Sequence, residues 1–364
     1  MKLRIDPLDT LFFRDGRPFT RGEDDWAASI FPPSPGVIYG ALRSLYFANL
    51  LEELELALTD ADPTAALRIK ALYWQIGAED EGEPCFPLPL DCVRLKNNRR
   101  EPGGFHLLTI STLAGLATNY PLDFVLKSEE EVAGPGNHLL DRESLVDYLE
   151  GKKEIFFAHD LADHLYWEPK VGIGRDAITH AAAEHLLYRV QMLRLKDMSL
   201  IVEYEGLQLP EQGFLRLGGE GRAASFTHVA GEMEGLPAPA TGRYFKLYLA
   251  TPAFFNGGWR PGWLDHRGEG TYGPLKLKLL TAAVGKPVPS GGFDIKIRQP
   301  KPMRRAVPGG SVYYFAILQG TIADAVAAFH GRCISEYRQQ EGFGLAFTGC
   351  LDPENLSIIT GEGN

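Results

Sequence analysis

The stretch Met1-Lys-Leu-Arg-Ile-Asp-Pro-Leu-Asp-Thr-Leu-Phe-Phe-Arg-Asp-Gly-Arg-Pro-Phe19 decides how the fold begins. Residues Lys2–Asp6 are predicted to form a strand, which runs into a loop rich in Arg, Gly and Pro. Residues Val37–Leu58 then carry apolar side chains at helical spacing among good helix formers. The chain is therefore expected to open with a strand, a long loop and a helix.

Mixed β and α character continues along the chain. Before residue 231 we expect strands at Ile69–Ile76, Leu107–Leu113, Ile155–His159 and Met192–Tyr204, and a short helix at Asp141–Leu149. After residue 242 we expect strands at Tyr244–Thr251 and Ser311–Leu318, and helices near Lys276–Val284 and at Ile322–Phe329.

The best candidate for a linker is Gly231–Gly242, which has small residues, two prolines and no periodicity. A chain of 364 residues is long enough for two domains. We therefore predict domains at residues 1–235 and 236–364. Two mixed halves of unequal length favour an α+β fold with two ferredoxin-like (RRM-like) domains in tandem, the first enlarged by insertions, although composition alone fits other α+β arrangements.

The overall charge restricts how the chain could bind nucleic acid. With 37 basic and 47 acidic residues the net charge is −10, which argues against non-specific coating of nucleic acid. A nucleic-acid site would have to be local, and basic residues gather at Arg94–Arg100 and Lys301–Arg305. Solvated charge on loops explains each cluster equally well.

Charged residues near the N-terminus and the lack of eighteen uninterrupted apolar residues predict a soluble, cytoplasmic protein without a membrane partner. The four cysteines form no CxxC pair, so they are expected to be reduced and structural.

Two motifs suggest contacts with RNA. Arg14 and Arg17 follow the first strand beside three phenylalanines, where a guanidinium and a ring could bind a nucleotide on an RRM-like sheet. Near the C-terminus, the glycines of Glu341-Gly-Phe-Gly-Leu-Ala-Phe-Thr-Gly349 would let backbone N–H groups approach phosphate, and Phe343 and Phe347 would add stacking. A turn with core phenylalanines is the alternative for both motifs.

The sequence offers no convincing catalytic constellation. His159 and His164, like His180 and His185, are five residues apart, which on a helix places them on different faces. No glycine motif has the Lys-Ser/Thr pair of an NTPase loop, and none is a GxGxxG between a strand and a helix, as a dinucleotide site requires. We therefore expect no enzyme, no metal and no cofactor, with a His-dependent endoribonuclease that matures RNA and a purely architectural protein as the alternatives.

Several blocks of sequence together resemble one family. In the expected order over nearly the whole chain, these blocks are Pro7–Phe19, Phe31-Pro-Pro-Ser-Pro-Gly-Val-Ile-Tyr-Gly-Ala-Leu-Arg43, Val171-Gly-Ile-Gly-Arg-Asp176 through Glu184-His-Leu-Leu-Tyr188, Leu217-Gly-Gly-Glu-Gly-Arg222, Thr251-Pro-Ala-Phe-Phe-Asn-Gly-Gly-Trp259 and Lys301-Pro-Met-Arg-Arg-Ala-Val-Pro-Gly-Gly-Ser-Val-Tyr-Tyr-Phe315. They resemble the Cmr-type (type III-B) CRISPR RAMP subunit that binds the 5′ tag end of the guide RNA. The glycine-rich loop departs from many members of that family, since it closes with a single glycine instead of a second Gly-x-Gly.

The resemblance implies a non-catalytic subunit that holds the 5′ tag of the guide RNA and bridges to the large polymerase-like subunit in antiviral defence. Target cleavage in the family is assigned to the backbone RAMP subunits, which are also implied partners. A hairpin is implied at Gly172–Tyr188. The RNA-binding residues that we expect are Arg14, Arg17, Gly172, Gly174, Arg175, Lys301, Arg304, Arg305, Gly342, Phe343, Gly344, Phe347 and Gly349.

Overall fold

The structure, a computed structural model, describes residues 1–14, 26–77, 82–96, 103–113, 121–175, 181–231 and 233–361, with the backbone alone at 174–175 and 182–187. It is a mixed α+β fold in which strands predominate. The α-helices of the described residues are α1 (Pro35–Asn49), α2 (Arg142–Glu150), α3 (Ile322–Phe329) and α4 (Pro353–Thr360), with 3-10 helices at Leu51–Leu58, Leu161–Asp163 and Gln339–Glu341.

The strands are numbered in chain order. Up to residue 231 they are β1 (Lys2–Pro7), β2 (Trp26–Ala27), β3 (Arg68–Ile76), β4 (Glu83–Pro87), β5 (Cys92–Leu95), β6 (Phe105–Leu107), β7 (Thr109–Thr112), β8 (Phe124–Lys127), β9 (Val132–Ala133), β10 (His138–Asp141), β11 (Ile155–Phe156), β12 (His159–Asp160), β13 (Leu165–Arg175), β14 (Ala182–Leu195), β15 (Met198–Glu205), β16 (Gln212–Arg216) and β17 (Ala223–His228). Beyond residue 242 they are β18 (Tyr244–Leu249), β19 (Glu269–Tyr272), β20 (Leu275–Ala283), β21 (Val288–Ser290), β22 (Phe293–Asp294), β23 (Gln299–Pro300), β24 (Arg304–Ala306), β25 (Val312–Gln319), β26 (Arg332–Cys333) and β27 (Leu345–Gly349).

The first large sheet has the strand order β12-β10-β4-β3-β15-β1-β17-β16, and its neighbouring strands are antiparallel. Strand β15 lies near its centre and is buried on both faces. Successive side chains of a strand point to opposite faces of the sheet, so Leu200 and Val202 of β15 share one face. On that face they pack with Ile38 and Leu42 of α1. Ile201 points the other way, into a second core.

The second large sheet has the order β19-β20-β25-β18-β27-β26 and is also antiparallel. Helix α3 begins with a capping box, in which the Thr321 hydroxyl accepts from the Asp324 backbone N–H and the Asp324 carboxylate accepts from that of Thr321. Phe329 of α3 packs on one face of this sheet.

The two sheets share one hydrophobic core. Tyr73 and Phe86 of the first sheet pack in the same cluster as Tyr248, Tyr314 and Phe347 of the second. This shared core fixes the position of one sheet relative to the other.

A polar network is buried in this shared core. The Asp91 carboxylate, which is fully buried, accepts hydrogen bonds from the hydroxyls of Tyr148 (2.7 Å) and Tyr314 (2.6 Å). The ammonium of buried Lys246 lies 3.5 Å from the centre of the Tyr148 ring. Burial raises the pKa of Asp91 and lowers the pKa of Lys246, because both charged forms lose hydration.

The sequence predicted several elements correctly. Helix α3 has the predicted bounds, and α2 begins one residue later than expected because the Asp141 side chain caps it. The prediction of a helix near Lys276–Val284 is wrong, since these residues form β20, in which Leu275, Leu277 and Leu279 are buried on one face. The single helix expected over Val37–Leu58 is α1 followed by a 3-10 helix.

No helix of the described residues is long and apolar enough to cross a membrane.

Candidate nucleic-acid interface

The hairpin predicted around Gly172–Tyr188 is confirmed by the pairing of β13 with β14, which places Gly172 opposite Tyr188. A side chain at Gly172 is excluded by the Tyr188 ring, whose Cζ lies 2.3 Å from where a Cβ would stand. This glycine thus has a packing function inside the hairpin. Gly174 and Arg175 lie at the end of β13, where only the backbone is described.

Arg14 lies near the base of this hairpin. It is exposed and forms an isolated bridge with Ser29, whose hydroxyl accepts from the Phe13 backbone N–H (2.8 Å). Two residues before Ser29, Ala27 of β2 pairs with β14. Arg14 therefore stands between the hairpin and the segment that leads into α1. Arg17 lies outside the described residues.

A buried ion cluster lies at the N-terminus of α1. The Glu341 carboxylate, which is almost fully buried, accepts from the Arg338 Nε (2.7 Å) and the Lys301 Nζ (3.2 Å). Arg338 Nη1 also donates to the backbone oxygen of Gly291 (2.6 Å), and Arg338 Nη2 lies 2.1 Å from where a Cβ of Gly36 would stand. Two cations thus share one carboxylate beside the positive end of a helix dipole, so the local charge is net positive.

Beside this cluster the surface offers an aromatic ring. The Arg304 guanidinium carbon lies 4.3 Å from the centre of the Tyr337 ring, which is 37% exposed. The Phe254 ring also packs edge-on against the Tyr337 ring, with ring centres 5.7 Å apart. Arg305 is exposed one residue further along β24. A cation beside an exposed aromatic ring can bind a nucleotide, because the cation attracts the phosphate and the base stacks on the ring.

The glycine-rich turn has a different function from the one expected. Gly344 has a φ of 78°, its N–H donates to the Pro252 oxygen (2.8 Å), and the next N–H donates to the Thr251 hydroxyl (2.9 Å). Phe343 is fully buried against Phe254, with ring centres 4.7 Å apart. These N–H groups are therefore occupied inside the protein and do not face a phosphate.

Two further expectations for this segment need correction. Phe347 lies within β27 in the shared core, so neither Phe347 nor Phe343 presents a ring on which a base could stack. Gly342 has a φ of 92° and packs on Ile69, while a Cβ at Gly349 would stand 2.8 Å from the Leu149 oxygen. Both glycines are explained by close packing.

The predicted residues divide into two groups. Lys301, Arg304 and Arg305 come together with Tyr337 and Arg338, and the hydrogen bond between the hydroxyls of Ser34 and Ser290 (3.0 Å) joins this surface to the segment before α1. Arg14 lies at the other end of that segment, opposite Ser29. Because Ser29 and Ser34 are five residues apart in the chain, the distance between their Cα atoms is at most about 18 Å. We call Arg14, Lys301, Arg304, Arg305 and Tyr337 the basic strip.

Sequence reasoning missed Tyr337 and Arg338. Neither lies in a glycine motif or a basic run, and Arg338 becomes significant only because the chain folds it against Gly36. The presence of an aromatic residue directly before an arginine was the available signal.

The histidines do not form a metal site among the described residues, where no group of three or more His, Cys, Asp or Glu side chains is placed to hold an ion. The rings of His159 and His164 are 6.1 Å apart. His138 contacts the Arg94 guanidinium (3.1 Å) through one ring nitrogen and the Pro135 oxygen (2.6 Å) through the other.

Comparison with known proteins identifies the class, which is that of the CRISPR-associated proteins. The model of the family described as CRISPR-associated protein (Cas_Cmr3) matches residues 3–351, and the chain belongs to that family. It is thus a Cmr-type protein. A comparison with curated protein sequences gave no match.

Two solved structures share the fold. A chain of the cryo-EM structure of the type III-B Cmr-beta bound to cognate target RNA and AMPPnP is 19% identical with a TM-score of 0.51, covering 90% of this chain and 88% of that chain. A chain of the type III-B Cmr-beta bound to cognate target RNA is 20% identical with a TM-score of 0.51, covering 86% of each chain.

Proposed function

We propose that this protein is a non-catalytic RNA-binding subunit of a type III-B CRISPR effector complex and that its basic strip holds the 5′ tag of the guide RNA. The observation that carries the proposal is the pairing of Arg304 with the exposed Tyr337 ring beside Lys301. In this function Lys301 and Arg305 contact phosphates, and a base stacks on Tyr337. Phosphate contacts supply affinity, while the stacked base contributes about 1–3 kcal/mol.

The strand order supports two ferredoxin-like (RRM-like) domains. In the first sheet, β1, β3, β15 and β17 are the first to fourth strands of such a unit in chain order, and they lie side by side in the order 4-1-3-2. Helix α1 connects the first strand to the second. In the second sheet β18, β20, β25 and β27 do the same, and α3 connects the last two. Each unit keeps one of the two expected helices, and the strands between β3 and β15 are the insertion that enlarges the first. We propose the domain boundary at residues 235 and 236 on this basis.

The absence of catalysis is also part of the proposal. Cleavage of RNA by histidine needs an acid and a base that converge on one phosphodiester. The contacts of His138 with Arg94 and Pro135 use both of its ring nitrogens, and the rings of His159 and His164 contact each other with their centres 6.1 Å apart. The protein then acts in cytoplasmic antiviral defence by contacting RNA, the large polymerase-like subunit and the backbone RAMP subunits.

A binding experiment tests the proposal. Labelled guide RNA with its 5′ tag, and the same RNA with the tag removed, are titrated with the full-length protein at several salt concentrations. We expect tighter binding of the tagged RNA and no shorter products. Lys301→Ala combined with Arg305→Ala should weaken binding at least tenfold and reduce the salt slope by about 0.7 for each lost phosphate contact.

The matched control is Lys152→Ala combined with Lys153→Ala, which removes two ion-paired lysines at the end of α2. This variant should bind as the wild type does. Equal affinity for tagged and untagged RNA would refute the proposal, and cleavage of the RNA by the pure protein would favour the endoribonuclease.

A further inference from the structure

The 3-10 helix that follows α1 exposes an unusual number of leucines. Leu51, Leu54, Leu56 and Leu58 are between 38% and 69% exposed, while Ala57 is the buried residue of this segment. Single exposed leucines are ordinary on a protein surface, whereas four exposed leucines within eight residues are not, and we call these four the leucine ridge.

A second apolar segment adjoins this ridge. The tip between β22 and β23 contains Ile295 and Ile297, of which Ile297 is 63% exposed, and Phe293 at its base is 61% exposed. Between the two isoleucines, the Lys296 ammonium donates to the Thr59 backbone oxygen (2.9 Å). Because Thr59 directly follows Leu58, the tip and the leucine ridge form one surface, to which both large sheets contribute through their connecting segments.

Charged side chains border this surface, with acidic ones beside the leucines and exposed Lys296 and Arg298 on the tip. Glu52 and Glu55 are exposed between the leucines, and Asp60 lies beside the tip. Lys296 is 3.8 Å from the Asp60 carboxylate and compensates for part of this charge. We call these residues, with the seven exposed apolar ones, the acidic apolar face.

The charge of the face limits what can cover it. RNA is disfavoured because its phosphates would meet Glu52 and Glu55. A second copy of this chain is disfavoured because a twofold contact sets the same patch against itself, which would bring acidic side chains together. A protein with an apolar groove between lysines or arginines is complementary in both shape and charge.

We propose that the acidic apolar face is a docking surface for another protein subunit, whose contact region is an apolar groove bordered by basic side chains. This inference rests on the proposed function in one respect, which is that the chain works within an assembly of several proteins. The leucine ridge enters the groove, and Glu52 and Glu55 pair with its basic border. The leucine ridge contacts the tip of the Phe293–Pro300 hairpin, whereas Lys301 of the basic strip follows the base of that hairpin.

Recovery of the assembled complex tests this inference. The tagged chain is co-expressed with the other subunits of its effector complex, and the recovered subunits are quantified. Leu54→Asp combined with Ile297→Asp should reduce recovery of at least one subunit tenfold or more. Leu356→Asp, which changes an exposed leucine of α4, should leave recovery within twofold of the wild type.

A charge variant tests how the acidic border contributes to docking, independently of the apolar contact. Glu52→Lys combined with Glu55→Lys should also reduce recovery of the same subunit, whereas the control Glu129→Lys combined with Glu130→Lys changes an exposed acidic run elsewhere and should not. Each isolated variant should keep the melting temperature and the tagged-RNA affinity of the wild type.

The other outcomes decide against the inference. Equal recovery with the docking variants and the wild type would overturn it and leave the proposed function intact. Loss of RNA affinity in Leu54→Asp/Ile297→Asp would identify RNA as the occupant, and loss of a wild-type dimer would identify a second copy. Recovery of no subunit with the wild type would overturn both this inference and the proposed assembly.

Discussion

Replacing Gly344 with alanine should destabilise the protein without weakening its hold on RNA. Gly344 has a φ of 78°, and a Cβ there would stand 2.5 Å from the Ser335 backbone nitrogen. If the N–H groups of this glycine-rich segment bound phosphate, as the sequence suggested, a side chain at Gly344 would instead act mainly on RNA binding. The geometry reverses that expectation, since the neighbouring atom is rigid backbone.

The size of the effect follows from two separate costs. A residue with a Cβ in the left-handed region costs about 1–2 kcal/mol. Displacing the Ser335 backbone adds an overpacking cost of about 1–3 kcal/mol. The free energy of unfolding should therefore fall by about 2–5 kcal/mol in Gly344→Ala.

Gly331→Ala is the matched control, because Gly331 also has a positive φ of 66° but faces open space. It should lose only the conformational cost of about 1–2 kcal/mol. Denaturant unfolding followed by fluorescence gives both values, and tagged-RNA affinity is measured on the same preparations at low temperature. Equal stability of the two variants, or a tenfold loss of RNA affinity in folded Gly344→Ala, would refute the reasoning.

Three further predictions concern the strip and the shared core. Tyr337→Ala should weaken tagged-RNA binding about tenfold through the loss of base stacking, measured by titration, and Tyr337→Phe should not. Asp91→Ala should lower the free energy of unfolding by about 3 kcal/mol in denaturant, because it leaves two buried hydroxyls without an acceptor. Burial raises the pKa of Tyr148, Tyr248 and Tyr314 well above 10, so these groups stay protonated in the folded protein while they ionise in the unfolded chain. These three tyrosines should thus leave the free energy of unfolding unaffected below about pH 10 and lower it above that pH by about 1.4 kcal/mol per pH unit for each tyrosine, and a denaturation midpoint that does not fall above pH 10 would contradict this.

Local signals predicted the elements whose ends are encoded locally. Thr321 and Asp324 supply both halves of a capping box, so α3 could be bounded from the sequence. The hairpin at Gly172–Tyr188, by contrast, was implied by the family resemblance. The segment Leu275–Ala283 was mispredicted as a helix because its leucines and lysines have good helix propensity. Its leucines alternate with lysines, and this pattern places the leucines on the buried face of a strand.

The candidate site was predicted less well, because it depends on contacts between distant segments. The Lys301–Arg305 run was visible as charge, but its neighbour Tyr337 is brought to it by the fold. Phe343 and Phe347 have the residue type of a stacking platform, and only their burial in the structure assigns them to the core. Residue type and local spacing carry no information about which face of a sheet a partner segment will cover.

The position of β1 between β15 and β17 has a consequence for biosynthesis. Lys2 is paired with Glu203 and Leu3 with His228, so β1 has no partner on the ribosome until about 200 further residues have been made. At about 5–20 residues per second this delay is on the order of 10–40 s. During that time an apolar strand edge is open to pairing with other nascent chains. The yield of this protein should therefore depend on translation speed between residues 8 and 228 and on chaperones that shield its first strand.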